Sequence, residues 1–378
     1  MDFSYTPAEQ AFRAELRAWL AANLPREPLP ETLEAEAAYL TAWQRRCFDA
    51  GWAAVHWPRE YGGRGATLTE TAIYQEEMAR ARAPQMMNRV GINNVGPTLI
   101  AHGSEAQRRR YLAKILSAEE VWCQLYSEPN AGSDLAAVRT RAERHGDHFV
   151  VDGQKVWTSY AQFAAFGILL ARTDPAAPAH RGISCLLGDM RSPGITIRPL
   201  RQLTGSAEFS ETFFDHVVVP RENLIGPENE GWKVATTTLA HERGTAFSFK
   251  EQVLHRIYAD ELGELLRARG RASDPTLRQR YAARVIDVEI MRLHNCRTMT
   301  RLARGELPGA ESSIVKLFWA DLTQELTALA LDALGAESQL GGRWQQRMLW
   351  SRCASIAGGT NEIQRNIIAQ RVLGLPRG

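Results

Sequence analysis

The sequence lacks several features that would assign it to a functional class at once. Its 378 residues carry a net charge of +2, so no charge excess indicates binding to nucleic acid or to an anionic membrane surface. No apolar run is long enough to span a bilayer. The N-terminus has no basic start followed by an apolar core, so it does not read as a signal peptide. We therefore expect a cytoplasmic protein with no nucleic-acid partner and no membrane span.

Cysteine is scarce and scattered. The five cysteines form no CxxC pair, a pattern that favours reduced thiols over a disulfide or zinc framework. The GxGxxG pattern of a dinucleotide-binding turn is also absent, and the glycines of residues 61–65 indicate a plain loop. The sequence thus predicts no metal site and no phosphate-binding loop of that type.

Hydrophobic periodicity divides the chain into helical, β and helical parts. Helical spacing dominates residues 1–120, short β-type runs follow in residues 121–228, and long amphipathic stretches fill residues 229–378. We expect an α+β protein with three domains at these boundaries. Within the β part, Asp152-Gly153 stands between two β-type runs and predicts a tight hairpin turn.

Glu242 lies on an otherwise apolar face of a predicted helix. Residues at helical spacing from it are Ala235, Leu239, Ala246 and Phe249. Burying a carboxylate costs several kcal/mol unless another group compensates. Two interpretations follow from the residues alone: a structural ion pair, or a general base that faces a largely apolar pocket.

Three further motifs are rich in small, hydroxyl and glycine residues. They are LYSEPNAGSD at residues 125–134, WTS at residues 157–159 and IAGGTNEIQR at residues 356–365. Each has a plain structural interpretation: a turn into a strand, a half-buried strand end and a helix cap. Each also allows backbone amides and hydroxyls to approach a polar ligand closely.

Together and in this order, the motifs resemble the acyl-CoA dehydrogenase family of flavoproteins. The matching stretches are residues 128–134, 153–159, 220–226 and 358–365, and the resemblance extends over essentially the whole chain. The resemblance implies an N-terminal helical domain, a middle β-barrel-like domain and a C-terminal four-helix bundle. This order agrees with the periodicity of the sequence.

The resemblance also implies a bound FAD. Family positions that contact the cofactor are matched by Leu125, Ser127, Gly132, Ser133, Trp157, Ser159, Thr360 and Glu362. Asp332 and Gly335 match positions that reach the FAD of a neighbouring subunit, although Asp332 replaces the commoner Gln. The family's usual Arg and Phe contacts to that FAD have no clear match around residues 277–281.

The usual catalytic base is missing. In most family members a Glu directly precedes the Gly-Thr of the last motif, and here that position is Gly358. In a minority, including isovaleryl-CoA dehydrogenase, the base precedes an Arg on an earlier helix, and Glu242-Arg243 falls at that site. The resemblance therefore favours Glu242 as the base. It implies substrate contacts from Ser133, Arg243, Gly358 and Gly359, with a backbone N–H at residue 358 facing the thioester oxygen.

The implied reaction is α,β-dehydrogenation of an acyl-CoA to the trans-2-enoyl-CoA in lipid metabolism. The implied electron acceptor is an electron-transferring flavoprotein, and the implied assembly is a homodimer or homotetramer, with a heterotetramer with a homologue also compatible. Two alternatives stay open: a non-catalytic or FAD-sharing subunit of a heteromeric enzyme, which Gly358 motivates, and a related flavin oxidase. Small residues at positions 91, 96, 245 and 246 would leave room for a branched, cyclic or steroid-like acyl group.

Overall fold

The computed structural model describes residues 4–242, 245–304, 306 and 309–376, with the side chains of residues 242, 245–247, 302 and 303 outside the description. The predicted order of helical, β and helical parts is confirmed. The helices before the sheet are α1 (Pro7–Asn23), α2 (Leu33–Asp49), α3 (Leu68–Arg80), α4 (Gly96–His102) and α5 (Glu105–Ser117). The helices after it are α6 (Gly231–Glu242), α7 (Thr245–Ala268), α8 (Pro275–Ala303), α9 (Ser312–Leu334), α10 (Arg343–Ser351) and α11 (Asn361–Ile367).

Side-chain caps explain where the first helices begin. The side chains of Thr6, Thr67 and Ser104 each accept a hydrogen bond from the backbone N–H of the third residue of the following helix. The Glu or Gln side chain of that third residue accepts a hydrogen bond from the backbone N–H of the cap residue. These reciprocal bonds satisfy two backbone N–H groups that a helix start otherwise leaves unpaired. In α1, Leu16 and Leu20 lie four residues apart on one face and are both buried.

The middle part forms one mixed sheet. Its strands are β1 (Trp122–Leu125), β2 (Arg141–His145), β3 (His148–Ser159), β4 (Phe166–Arg172), β5 (Ile183–Asp189), β6 (Ile195–Leu200), β7 (Phe209–Pro220) and β8 (Leu224–Ile225). The strand order is β6-β7-β3-β2-β4-β5-β8, and β1 pairs with β4 in parallel. The long antiparallel pair of β3 and β7 forms the centre of one half of the sheet.

The prediction of a hairpin turn at Asp152-Gly153 is wrong. These residues lie inside β3, which continues to Ser159 and pairs with β7 on both sides of them. The register shifts between Val151 and Gly153, where two residues of β7, Asp215 and His216, lie opposite Asp152, so the Asp-Gly pair faces a β-bulge of β7 instead of reversing the chain. The reversal occurs earlier, where Gly146 adopts a left-handed backbone (φ 63°) between β2 and β3.

The contacts divide the chain into two compact units, each with its own core. One unit comprises residues 25–65 and 84–242 and contains the whole sheet, with a core that includes Leu125, Phe149 and Leu186. The other comprises residues 1–24, 66–83 and 243–378, with a core that includes Leu262 and Met291. Within the helix predicted around Glu242, α6 ends at Glu242, α7 begins at Thr245, and residues 243–244 lie outside the described residues. One boundary between the two units in the sequence falls directly after Glu242.

All five cysteines are free thiols, and Cys47, Cys123 and Cys185 are buried. Burial raises the pKa of each of these three thiols well above its usual value, so they stay protonated and unreactive. Among the described residues, no helix is both long enough and apolar enough to cross a bilayer.

Candidate active site

The first motif forms a tight turn at the end of β1. Glu128 and Ala131 exchange backbone hydrogen bonds in both directions, at 3.1 and 3.0 Å, which reverses the chain within the motif. Leu125 is buried in the strand that leads into the turn, whereas Gly132 and Ser133 are exposed beyond it. A side chain built at Gly132 would meet no atom within 4 Å, so open space adjoins this residue.

A buried ion pair connects the first motif to the second. The Nζ of Lys155 lies 2.8 Å from Oε1 of Glu128 and donates to the backbone carbonyl of Tyr126 at 3.0 Å. The Glu128 carboxylate also accepts hydrogen bonds from the N–H groups of Arg139 and Thr140, at 2.7 and 2.9 Å. Sequence analysis assigned no role to Glu128 or Lys155. The sequence signal was a glutamate in the first motif and a lysine in the matching stretch 153–159.

Burial and pairing act in opposite directions on the ionisation of this pair. Burial lowers the pKa of Lys155 to about 8, although Glu128 opposes the shift. Burial raises the pKa of Glu128, but Lys155 and the backbone N–H donors outweigh it and hold the pKa below its usual value. Both groups are therefore charged near neutral pH, and the pair fixes the turn of the first motif against β3.

Trp157 is held in a strained and exposed position. Its φ of 61° is in the left-handed region, and 60% of its surface is exposed. A second register shift of β3, between Lys155 and Thr158, produces this geometry, and Val156 N–H donates to the carbonyl of Ser127 at 2.9 Å beside it. Strain and an exposed indole together are typical of a functional position.

These residues fit a planar, polar ligand. The exposed indole of Trp157 adjoins the half-buried Ser159, and the neighbouring motif offers an open glycine and the exposed Ser133. The hydroxyl of Thr158 is buried and has no hydrogen-bond partner among the described residues. The hydrogen bond from Val156 N–H to the Ser127 carbonyl joins the first motif to the residue that directly precedes Trp157.

The last motif forms a turn that its own glutamine holds closed. Gly358 and Gly359 adopt left-handed backbones, with φ of 67° and 96°, and Thr360 caps α11 by accepting from Ile363 N–H at 3.3 Å. The buried amide of Gln364 donates to both glycine carbonyls, at 3.0 and 3.3 Å. A Cβ at Gly358 would meet no atom within 4 Å, so the position of the family's usual base is open, but its left-handed backbone would strain any residue other than glycine.

Two side chains of α9 hold the next residue of this turn. Asn361 donates to Asp321 Oδ1 at 3.1 Å, and the buried Lys316 reaches Asn361 Oδ1 at 3.4 Å. Burial lowers the pKa of Lys316. Glu362, which the resemblance assigned to the cofactor, is exposed. Neither Lys316 nor Asp321 carried a recognisable signal in the sequence, because they lie 45 and 40 residues from Asn361.

Asp332 and Gly335 line a cavity of about 560 Å³ in the helical unit. The Arg280 guanidinium forms an ion pair with Asp332 at 2.8 Å, and Arg271 donates to the carbonyl of Asp332 at 3.2 Å. Arg280 from α8 and Arg271 from the preceding loop thus hold Asp332 at this cavity. Asp274 also lines the cavity, so its two arginines and two aspartates carry no net formal charge.

Glu242 is the last residue of α6, and its side chain lies outside the described residues, as does the whole of Arg243. The neighbouring residues of this helix are described. Ala235 is buried, as the predicted apolar face requires, and Leu239 is half-buried. Burial, with a smaller contribution from His241, lowers the pKa of the nearby His56 to about 4, so this imidazole is neutral near pH 7.

Comparison with known proteins follows the same three parts. Sequence profiles of the acyl-CoA dehydrogenase N-terminal, middle and C-terminal domains match residues 6–119, 123–217 and 229–373. The acyl-CoA dehydrogenase IpdE1 of Mycobacterium tuberculosis (strain ATCC 25618 / H37Rv) is 41% identical over 380 residues, which cover 97% of this chain and 98% of the relative. The chain belongs to the acyl-CoA dehydrogenase family. It is an oxidoreductase, and the cofactor of its family is a flavin.

Solved structures of the family agree with the fold. The Tcur3481-Tcur3483 steroid ACAD (acyl-CoA dehydrogenase) superposes with a TM-score of 0.88 at 32% identity, over the full length of both chains. The ChsE4-ChsE5 complex from Mycobacterium tuberculosis superposes with a TM-score of 0.81 at 32% identity, again over both full lengths. The family resemblance, the α+β fold and the reaction class predicted from the sequence are thus confirmed.

Membership of this family makes Gly358 informative about the catalytic base. The most frequent base position of an acyl-CoA dehydrogenase holds no side chain here, and a residue other than glycine would adopt φ near 67° only with strain.

The small residues predicted to widen the acyl pocket have a different role in two cases. A Cβ at Gly96 would lie 1.9 Å from the Trp57 ring, and one at Gly91 would lie 2.4 Å from the Asn88 side chain. Both glycines allow close packing and do not open space.

Proposed function

We propose that the chain is an FAD-dependent acyl-CoA dehydrogenase in which Glu242 is the catalytic base. The observation that carries this proposal is the Gly358 turn: an open position with a left-handed backbone where most family members place the base. Glu242-Arg243 is the sequence pair that matches the alternative base position of the family. Without Glu242 the chain has no evident group to accept the proton.

In this proposal Glu242 accepts the α-proton of the acyl thioester. A backbone N–H at residue 358 donates to the thioester oxygen and stabilises the negative charge that develops as the proton leaves. Arg243 and Gly359 border the thioester, and Ser133 lies where cofactor and substrate meet. FAD, when bound, would supply the acceptor for the β-hydride, and the proposed electron acceptor of the enzyme is an electron-transferring flavoprotein.

The residues proposed to hold FAD come from the three motifs. Trp157 would flank the ring, Ser159 would lie near its reactive nitrogen, and Ser127 would contact its polar edge. The exposed Gly132 allows the backbone to approach the diphosphate. The remaining contacts are Leu125, Ser133, Thr360 and Glu362. The strained, exposed indole of Trp157 and the open space at Gly132 support this assignment.

The proposed substrate is a CoA thioester with a bulky, ring-bearing or branched acyl group. The absence of a side chain at Gly358, with no atom within 4 Å of the missing Cβ, supports room beside the thioester. A similar full-length structure is named a steroid acyl-CoA dehydrogenase. A straight-chain thioester would fill such a pocket poorly and would gain less binding energy from apolar contact.

We further propose that the chain works in an oligomer, a dimer or a tetramer, in which Asp332 and Gly335 reach the flavin of a neighbouring subunit. Two similar structures are named with a pair of chains, ChsE4-ChsE5 and Tcur3481-Tcur3483, which supports a partner homologue as an alternative to a second copy. Light scattering of the purified chain, alone and co-expressed with a homologue, distinguishes these assemblies.

The proposed domain boundaries within each subunit are residues 1–120, 121–228 and 229–378.

The test of the proposed base is substrate-driven bleaching of the flavin absorbance. Glu242→Gln should retain the bound flavin and its spectrum, yet bleach at least about a hundredfold more slowly than the unmodified protein. Glu230→Gln, an exposed glutamate that directly precedes the same helix, is the matched control and should bleach normally. A Glu242→Gln variant that bleaches at the unmodified rate contradicts the base assignment. A panel of straight-chain, branched and ring-bearing acyl-CoA thioesters then identifies the acyl class.

A further inference from the structure

Three buried hydroxyl groups link α6 to the other segments assigned to the site. The hydroxyl of Tyr126 donates to Thr238 Oγ1 at 2.9 Å, and Thr238 Oγ1 lies 2.9 Å from Thr98 Oγ1. Thr98 Oγ1 in turn donates to the carbonyl of Asn94 at 2.7 Å. Tyr126 belongs to the first motif, Thr238 to α6, and Thr98 to α4. The three segments are thus joined by side chains far apart in the sequence.

The hydroxyl protons at both ends of the chain each have an acceptor, since Tyr126 donates to Thr238 Oγ1 and Thr98 donates to the Asn94 carbonyl. The Thr238 proton has two acceptors within reach, Thr98 Oγ1 at 2.9 Å and the Val234 carbonyl of its own helix at 3.1 Å. Thr98 and Thr238 are fully buried and Tyr126 is 3% exposed, so solvent does not compete for these bonds. Hydrogen bonds in such a chain polarise one another and hold their members in place.

A second hydrogen bond connects β1 to the segment before α4. Asn94 Nδ2 donates to Gln124 Oε1 at 2.8 Å, and Gln124 lies in β1, two residues before Tyr126. Asn94 lies in the π-helical turn Gly91–Val95, which precedes α4. Pro97, in the first turn of α4, has no N–H to continue a regular ladder, and π-helical turns of this kind are frequent at functional sites.

We propose that Thr238 is a positioning residue for Glu242, an inference that rests on the proposed function of Glu242 as the base. The backbone of α6 places residue 242 one turn beyond Thr238, about 6 Å along the helix axis. The hydroxyl chain fixes that turn relative to the first motif, which is proposed to hold the flavin. It therefore sets where the base begins its approach to the substrate.

The neighbours of Thr238 show that the rotation of α6 is specified. A turn of the helix by one residue rotates its side chains by about 100°, which would present Thr237 or Leu239 to Tyr126 in place of Thr238. Thr237 instead lies 2.8 Å from His102 Nε2, and Leu239 has no hydroxyl to accept the bond. Thr236 is exposed, and its hydroxyl donates to the carbonyl of Lys233.

The test compares three threonine variants by stopped-flow bleaching of the flavin-bound protein. Thr238→Val removes the hydroxyl at nearly constant volume and should lower the rate constant of bleaching about tenfold, because small misplacements of a reacting group are costly. Its flavin spectrum and its substrate Kd should stay unchanged. Thr236→Val, the control on the same helix, should bleach like the unmodified protein. Thr238→Ser restores the hydroxyl and should recover most of the rate.

Tyr126→Phe removes the donor at the other end of the same bond. It should slow bleaching in the same way, and the double variant Tyr126→Phe/Thr238→Val should be no slower than the slower single variant, because both remove one interaction. Rates that multiply in the double variant would overturn the proposal. So would a Thr238→Val variant that bleaches as fast as Thr236→Val, or a Thr238→Ser variant as slow as Thr238→Val, which would assign the effect to packing of the methyl group.

Glu242→Gln, measured in the same experiment, distinguishes failure of the positioning role of Thr238 from failure of the base assignment. If Glu242→Gln is inactive while Thr238→Val bleaches normally, the positioning role fails and the base assignment stands. If Glu242→Gln bleaches at the unmodified rate, the base assignment fails, and the positioning inference fails with it. The expected result is that Glu242→Gln is the slowest variant, Thr238→Val is intermediate, and Thr236→Val and Thr238→Ser are close to the unmodified protein.

Discussion

Lys155 Nζ lies 2.8 Å from Glu128 Oε1 with the lysine side chain fully buried and the glutamate nearly so. This pair joins the two motifs that the family resemblance assigns to the flavin. A buried ion pair is costly to assemble, because both charges leave water, but it is still more costly to break by removing one partner. The pair thus makes the geometry of the turn at residues 128–131 depend on a residue in the middle of β3.

Removal of the lysine alone should destabilise the fold strongly. Lys155→Met leaves the Glu128 carboxylate buried without its cation, and we expect the free energy of unfolding to fall by about 3 kcal/mol or more. Urea denaturation followed by circular dichroism measures this change. Arg256→Met, which breaks an exposed ion pair with Asp260, should cost less than about 1 kcal/mol. Equal losses in the two variants would contradict a stabilising role for the buried pair.

Trp157 should matter for flavin binding and little for folding. Its indole is largely exposed, so Trp157→Ala should leave the melting temperature of the apo-protein nearly unchanged while it weakens flavin binding, measured by flavin fluorescence. Trp157→Gly also relieves the left-handed φ. In an ordinary strand a glycine is about 0.5–1 kcal/mol less stable than an alanine. Here the glycine variant should be at least as stable as the alanine variant. An alanine variant that is more stable than the glycine variant would show that the backbone at residue 157 is not strained.

Gly358→Ala tests the left-handed backbone of residue 358, the position where the family's usual base is absent. The methyl group meets open space, so the expected loss of about 1 kcal/mol in the free energy of unfolding comes from the left-handed backbone alone. Gly341→Ala is the matched control, since its Cβ also meets no atom within 4 Å and its φ is not left-handed. It should change stability by less than about 0.5 kcal/mol. Similar values for both variants would show that φ at residue 358 does not govern this turn.

His56 should make the protein less stable as the pH falls. Its folded pKa of about 4 lies below the unfolded value of about 6.5, so between these values the unfolded chain binds a proton that the folded chain does not. Its contribution is complete above pH 6.5 and is lost as the pH falls towards 4. His56→Gln should therefore lose less stability than the unmodified protein between pH 7 and pH 5, measured by urea denaturation. Parallel losses would show that His56 titrates alike in both states.

Local patterns along the chain determined much of this protein. Periodicity placed the helical and β parts, and the pairs Thr6–Glu9 and Ser104–Gln107 mark helix starts because capping acts within one turn. The ordered motifs identified the family, and Gly358 revealed that the usual base is missing. The sequence also provided Glu242 as the replacement, which remains a prediction that the proposed bleaching experiment tests.

Only the tertiary structure decided what lies between the motifs. The Asp152-Gly153 pair has the composition of a hairpin turn, but pairing along β7 keeps both halves of β3 in one strand and places the pair opposite a bulge of β7. Lys155 meets Glu128, and Arg280 meets Asp332, through contacts across 27 and 52 residues that no local propensity encodes. The same holds for Thr238, whose partners Tyr126 and Thr98 lie more than a hundred residues away. A side chain's spacing along the chain indicates its face on a helix or strand, whereas its partners depend on how distant segments pack together.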